Sequence, residues 1–157
     1  MLQSKVSVNT LTQQSTKWSV KKAQEWYSKQ PWLVGCNFAP STAINQLEMW
    51  QEETFDLPTI REELQLARSL GFNVVRVYLH NLLWETDAQG FKKRINIFLD
   101  TLKEYDMRAL IVLFDDCWNH EACTGAQPSP KPGVHNSRCV ASPGRQRILN
   151  KIRWGHL

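Results

Sequence analysis

The chain is legible first as an alternation of apolar runs and amphipathic stretches. Leu33-Val34-Gly35-Cys36-Asn37 is a short apolar run after Pro31 and predicts a strand. Leu57, Ile60, Leu64, Ala67 and Leu70 then recur at helical spacing. Asp56 precedes them as a candidate N-cap, Pro58 sits in the first turn, and Gly71 stands where such a helix would close. Asn73 to Leu79 is β-branched and aromatic, predicting a second strand. A second round begins at Asp87, with Phe91, Ile95, Phe98, Leu99 and Leu102 on one helical face. It ends in Ala109-Leu110-Ile111-Val112-Leu113-Phe114, which is apolar on both faces, as in a parallel strand covered on each side.

The strand centres, Val34, Val75 and Ile111, lie roughly 40 residues apart, enough for a helical crossover between parallel strands. The fold class is therefore α/β. Residues 18–30 predict a lead-in helix with Trp18, Val20 and Trp26 available for packing. From Asp115 to Gly144 the periodicity stops among Pro128, Pro130, Pro132, Gly133 and Pro143, which predicts one long loop, and loops of that length are usually functional. A short helix is expected around Ile148, Leu149 and Ile152.

Charge changes the picture only at one end. The 157 residues carry a formal net charge of +4, with 19 basic and 15 acidic side chains. All the acidic residues lie at or before Glu121, whereas Lys131, Arg138, Arg145, Arg147, Lys151 and Arg153 follow it. Such a segment could meet RNA or an acidic surface, but no nucleic-acid-binding motif accompanies it and a solvated face explains it as well. At 42% hydrophobic residues the chain is not of disordered composition. No apolar run approaches the length of a membrane span, so no membrane partner is expected, and residues 1–17 contain no signal-like apolar core.

Parallel α/β folds bind ligands at the carboxyl ends of their strands. Strand alternation puts Val74, Arg76, Tyr78 and His80 on one face and Val75, Val77 and Leu79 on the other. The second set suits a helix-facing side, so Arg76 points into a cleft or barrel interior, either as a core ion-pair member or as the partner of a catalytic carboxylate. Beyond the third strand, Asp115 and Asp116 face opposite ways and do not form an acid–base pair unaided. Trp84 and Trp118 follow strand ends and could stack on a sugar ring or simply pack. Cys117, His120, Cys123, His135 and Cys139 have metal-ligand residue types but match no established zinc spacing, and free thiols or a Cys117–Cys123 disulfide are the alternatives. No metal and no cofactor is assigned. Cys36 suits a buried strand position.

Taken in order, WLVGCNFAPSTAINQLEMWQEETFD, LGFNVVRVYLHNLLWETDAQGF, LIVLFDDCWN, PKPGVHNS and SPG resemble the N-terminal part of cellulase-like glycoside hydrolases. These are family-five-like, clan A enzymes, often labelled cellulase or 1,4-β-xylanase. The resemblance spans about Trp32 to Gly144 and departs at Arg138-Cys139, where a Gly and an aromatic residue are expected. It implies a (β/α)8 TIM barrel, of which this chain supplies about the first three βα units. Residues 1–31 would be a lead-in, 32–144 those units with their long loop, and 145–157 a basic tail.

It also implies retaining hydrolysis of an O-glycosyl bond in a poly- or oligosaccharide. Two Glu residues about 5–5.5 Å apart would do that work, from strands four and seven, so no catalytic residue is assignable here. Glu85 follows strand two, the wrong place for either. Arg76 matches an Arg that supports the nucleophile, and Asn37, His80, Asp116 and Trp118 fall where the substrate pocket clusters. The family is usually secreted or periplasmic. Because such a barrel needs about 250 residues, three units are expected to leave sheet edges and an apolar inner face open, and to be an inactive fragment. The alternatives are a non-catalytic carbohydrate-binding remnant, or a metal- or nucleic-acid-binding protein using residues 117–153.

Overall fold

Three short parallel strands lie side by side in the order β1-β2-β3 in the computed structural model, which describes residues 17–150. The elements in chain order are α1 (Val20–Tyr27), β1 (Gly35–Asn37), α2 (Gln46–Trp50), α3 (Leu57–Ser69), β2 (Val74–Tyr78), α4 (Asn81–Glu104), β3 (Arg108–Val112) and α5 (Arg145–Leu149). The chain divides into two compact units, one up to Trp32 and one from Leu33 onward. It is thus a mixed α/β protein with a small parallel sheet. Residues 1–16 and 151–157, which include Ile152, lie outside the described residues.

The first unit contributes α1. Ser19 caps it by accepting from the Lys22 amide at 3.2 Å. Trp18 and Trp26 meet edge to face at 6.3 Å, and the Lys22 ammonium lies 4.5 Å from the Trp18 ring centre. Val20 stays exposed.

In the second unit, local chemistry sets the helix ends. Asp56 accepts from the Thr59 amide and hydroxyl at 3.1 and 2.6 Å, closing the N-terminus of α3. At the other end the Phe72 amide donates to Ala67 and the Gly71 amide to Arg68, the paired bonds of a Schellman motif, with Gly71 at φ +90°. α4 begins at Asn81, six residues before its apolar periodicity suggests, and breaks at Asp87 (φ −149°, ψ 63°). There the Asp87 carboxylate accepts from the Gly90 amide at 2.9 Å and restarts the helix.

The core is built around Trp50. Its ring stacks near Phe55 at 6.3 Å and meets Phe91 and Phe98 edge-on at 6.2 and 5.2 Å. Its indole N–H donates to the Tyr78 carbonyl at 2.8 Å, tying α2 to the end of β2. Leu47, Ile60, Leu64, Val75, Val77 and Leu102 complete the layer between sheet and helices.

β3 departs from the expectation of cover on both sides. Leu110 is 56% exposed, and Leu113 and Phe114 are exposed too. β3 is an edge strand, and no described element lies over the face that carries Leu110. Cys36 is likewise exposed on the opposite edge rather than buried.

From 115 to 144 there is no helix or named strand, as expected, and β3 ends at Val112, two residues short of the expected Phe114; yet the segment is firmly held. Asp115 and Ser142 exchange backbone bonds of 2.8 and 2.6 Å, and Asn119 bridges Val140. Three carboxamides around α2 grip it. Asn45 donates to Gln127 and to the Arg138 carbonyl at 2.9 and 2.8 Å, Gln46 donates to the Val140 carbonyl at 2.8 Å, and Gln51 both donates to and accepts from Gly125.

Candidate functional site

A cleft of about 230 Å³ opens at the carboxyl ends of the three strands. Phe38 and Ala39 reach it just beyond β1, Tyr78 from the last position of β2, and Asp115 and Trp118 from the loop after β3. Ile44, Asn45, Gln46 and Met49 form the wall on the α2 side, and Cys139 closes it. The carboxyl ends of all three strands therefore meet at one place, because parallel strands in register end at nearly the same level.

The two acidic neighbours separate as strand alternation requires. Asp115 is half-buried, lines the cleft, and is anchored through its backbone to Ser142. Asp116 points into solvent, with an oxygen 3.9 Å from Nδ1 of His120. Trp118 has a left-handed backbone (φ +80°) and stands 42% exposed, its ring 5.9 Å from that of His135. An aromatic residue rarely holds such a backbone unless its surroundings impose it. Here the neighbouring Asn119 amide donates to the Cys139 carbonyl and the Ala141 amide donates to the Asn119 carbonyl, which pin the turn.

Arg76 lies on the open face of the sheet, beside Asn37 of β1, and both are exposed. Its guanidinium carbon sits 4.8 Å from the centre of the Tyr78 ring, a cation–π contact that directs it towards the cleft. No ion pair to Arg76 occurs among the described residues.

His80 takes a different place. Alternation along β2 aligns it with Arg76 and Tyr78, but the strand ends at Tyr78 and His80 turns inward as the N-cap of α4. Its Nδ1 accepts from the Leu82 amide at 3.2 Å, and Nε2–H donates to the Ala141 carbonyl at 3.1 Å. Burial, reinforced by the Arg147 charge, depresses its pKa to about 4, against the opposing pull of the Ala141 carbonyl. His80 is thus neutral at ordinary pH and lines a second, apolar recess of about 170 Å³ with Trp84, Phe91, Leu113 and Phe114. Glu85 nearby is held by Arg147 at 2.9 and 2.7 Å and by Asn81 at 2.7 Å.

The structure therefore brings Trp118 to the cleft, sets Asn37 and Arg76 on the adjoining sheet face, leaves Asp116 in solvent and buries His80. Of the cleft's lining residues only Trp118 was expected as a site residue; Tyr78 and Asp115 are the two others for which the sequence held a signal. The signal for Tyr78 was its shared face with Arg76. For Asp115 it was alternation after β3, which admits only one of the two neighbours. Asn45, Gln46 and Met49 carried no signal, because α2 is too short to show a period.

All four cysteines are free, and burial pushes the Cys139 thiol up, helped by the charge of Asp115. Among the described residues no group of three or more His, Cys, Asp or Glu side chains is arranged to hold a metal ion. No helix among them is long and apolar enough to cross a membrane. Compared with known proteins, the chain matches no family model, no curated protein and no solved structure.

Proposed function

We propose that the cleft at the strand ends binds carbohydrate, and that the sheet forms the first three βα units of a glycoside hydrolase (β/α)8 barrel of the family-five-like kind. The observation that supports this most is the convergence of Tyr78, Asp115 and Trp118 at the carboxyl ends of parallel strands, with Arg76 and Asn37 on the adjoining open face. A flat aromatic face beside a carboxylate and carboxamides suits a sugar ring, which offers an apolar C–H surface and a rim of hydroxyls.

Asp115 is the one carboxylate lining the cleft among the described residues. Retaining hydrolysis requires two carboxylates about 5–5.5 Å apart, so the site within this chain holds sugar without cleaving it. The catalytic pair belongs to further strands of the complete barrel, where Arg76 would face the nucleophile.

Affinity electrophoresis of the 157-residue chain through gels containing β-glucan, mannan or xylan tests this. Retardation in at least one gel is expected, with loss of retardation in Trp118→Ala and no release of reducing sugar. Unretarded migration in all three gels overturns the binding; robust reducing-sugar release overturns the division of roles.

A further inference from the structure

We propose that α1 and its flanking residues dock on an anionic lipid surface, lying among the headgroups without crossing the bilayer. This goes beyond the carbohydrate reading and does not depend on it. On a helix of 3.6 residues per turn, Val20, Ala23, Trp26 and Tyr27 fall within one arc of roughly 120°, and Lys21, Lys22, Gln24 and Glu25 take the remainder. An apolar stripe of that kind ordinarily packs on a core. Here none of the eight residues is buried, and Val20 is 73%, Tyr27 72% and Trp26 53% exposed. Trp18 extends the same side, since its ring meets that of Trp26.

Charge and residue type say what would cover this face. Residues 17–30 carry Lys17, Lys21, Lys22 and Lys29 against Glu25 alone, a net charge of +3, and all five side chains are exposed. Trp and Tyr have an apolar body and a polar tip, which suits the boundary between acyl chains and headgroups. Lysines beside them can lay their stems on the apolar side and reach lipid phosphates with their ammonium groups. Lys22 already bends this way, with its ammonium 4.5 Å from the Trp18 ring centre. The lack of a spanning run, from which no membrane partner was expected, bears only on crossing. A helix lying in the interface needs an apolar face and a basic border, not length.

Other occupants fit less well. Sugars and nucleobases stack on successive open aromatic faces, whereas Trp18 and Trp26 stand edge to face at 70° and Lys22 covers one face of Trp18. A second copy would set the same lysines against each other. Eight residues of helix, about 12 Å long, also fall far short of the roughly 800 Å² per partner of a stable protein interface.

The test is co-sedimentation of the full 157-residue chain with vesicles of phosphatidylcholine containing about 30% phosphatidylglycerol. The chain should pellet with them, stay in the supernatant with phosphatidylcholine alone, and be released by about 0.5 M NaCl. Lys21→Gln combined with Lys22→Gln should weaken binding about tenfold. Trp18→Ala combined with Trp26→Ala leaves the charge untouched and should weaken it at least as much. All four side chains are exposed, so circular dichroism should be unchanged. The basic residues beyond Glu121 could also hold an anionic vesicle, so binding that either double variant leaves intact overturns the proposal. No binding, or equal binding to neutral vesicles, overturns it as well. Retention of a U-rich single-stranded RNA at lower protein concentration than the vesicles, lost in the same variants, overturns it in favour of nucleic acid. Sugar retardation should be the same in these variants as in the parent. If it persists while vesicles fail to bind, only this docking falls; if vesicles bind and sugar retardation fails, only the carbohydrate reading falls.

Discussion

His80 has both ring nitrogens engaged in different tasks, one capping α4 and the other gripping the loop at Ala141. Only the neutral tautomer with its proton on Nε2 satisfies both, because protonated Nδ1 cannot accept from Leu82. The unfolded chain takes up a proton near pH 6.5 while the folded chain resists until about 4. Stability is therefore full above pH 6.5 and is lost progressively as pH falls towards 4, by up to about 3 kcal/mol. Urea midpoints measured from pH 7.5 to 4.5 should fall across that window, and His80→Asn should flatten the decline. The lowered carboxylates Asp56, Asp87 and Glu104 also lose their contribution as pH falls through the ordinary carboxylate range and below, so the decline that survives at the acid end in His80→Asn belongs to them.

Asn45 is the other residue with divided duties. Its Oδ1 accepts from the Leu47 and Glu48 amides to cap α2, while its amide nitrogen donates to Gln127 and Arg138. Asn45→Ala should cost roughly 2 kcal/mol, about 1 for the cap and about 1 for the clamp. Asn45→Asp keeps the cap but turns an acceptor towards two acceptors. Hydrogen exchange should then quicken between residues 123 and 141 while α2 stays protected; equal loosening of α2 would refute the division.

At the scale of elements, the helix ends are local chemistry and the loop is not. Gly71 and Gly144 both have positive φ, +90° and +82°. A Cβ at Gly71 meets nothing within 4 Å, so Gly71→Ala should cost only the backbone strain, about 1 kcal/mol. A Cβ at Gly144 would also stand 2.9 Å from the His120 carbonyl oxygen, so Gly144→Ala should cost distinctly more. Paired denaturation curves check the order, and equal midpoints would sink it. The break in α4 also has a local cause. Asp87 caps the second segment through Gly90 and is itself held at 2.8 Å by Arg94, a buried side chain that also donates to the Trp50 carbonyl. Arg94 was invisible to a reading by apolar periodicity, because a buried arginine interrupts the stripe it belongs to.

For the whole molecule, an open parallel sheet is the dominant physical fact. Leu110, Leu113 and Phe114 sit exposed along an edge that no described strand pairs, and such edges invite association. Leu110→Lys should raise the concentration at which light scattering begins to increase while leaving the urea midpoint within about 0.5 kcal/mol of the parent. An unchanged onset would show that association proceeds through another surface.

The sequence by itself determined the elements whose causes are short-range: the cap at Asp56, the stop at Gly71, the β-branched run of β2 and the alternation that separates Arg76 from Val75 and Val77. It also determined that the strands are parallel, because each pair is joined by a helical crossover. Only the tertiary structure decided that His80 turns inward, that Asp115 rather than Asp116 lines the cleft, and that three carboxamides near α2 hold a loop 74 to 94 residues away. Those outcomes depend on partners distant in the chain, Ala141, Ser142 and Gly125 among them. Local periodicity carries no record of such partners, since a hydrogen bond formed across 60 or more residues leaves no spacing to read.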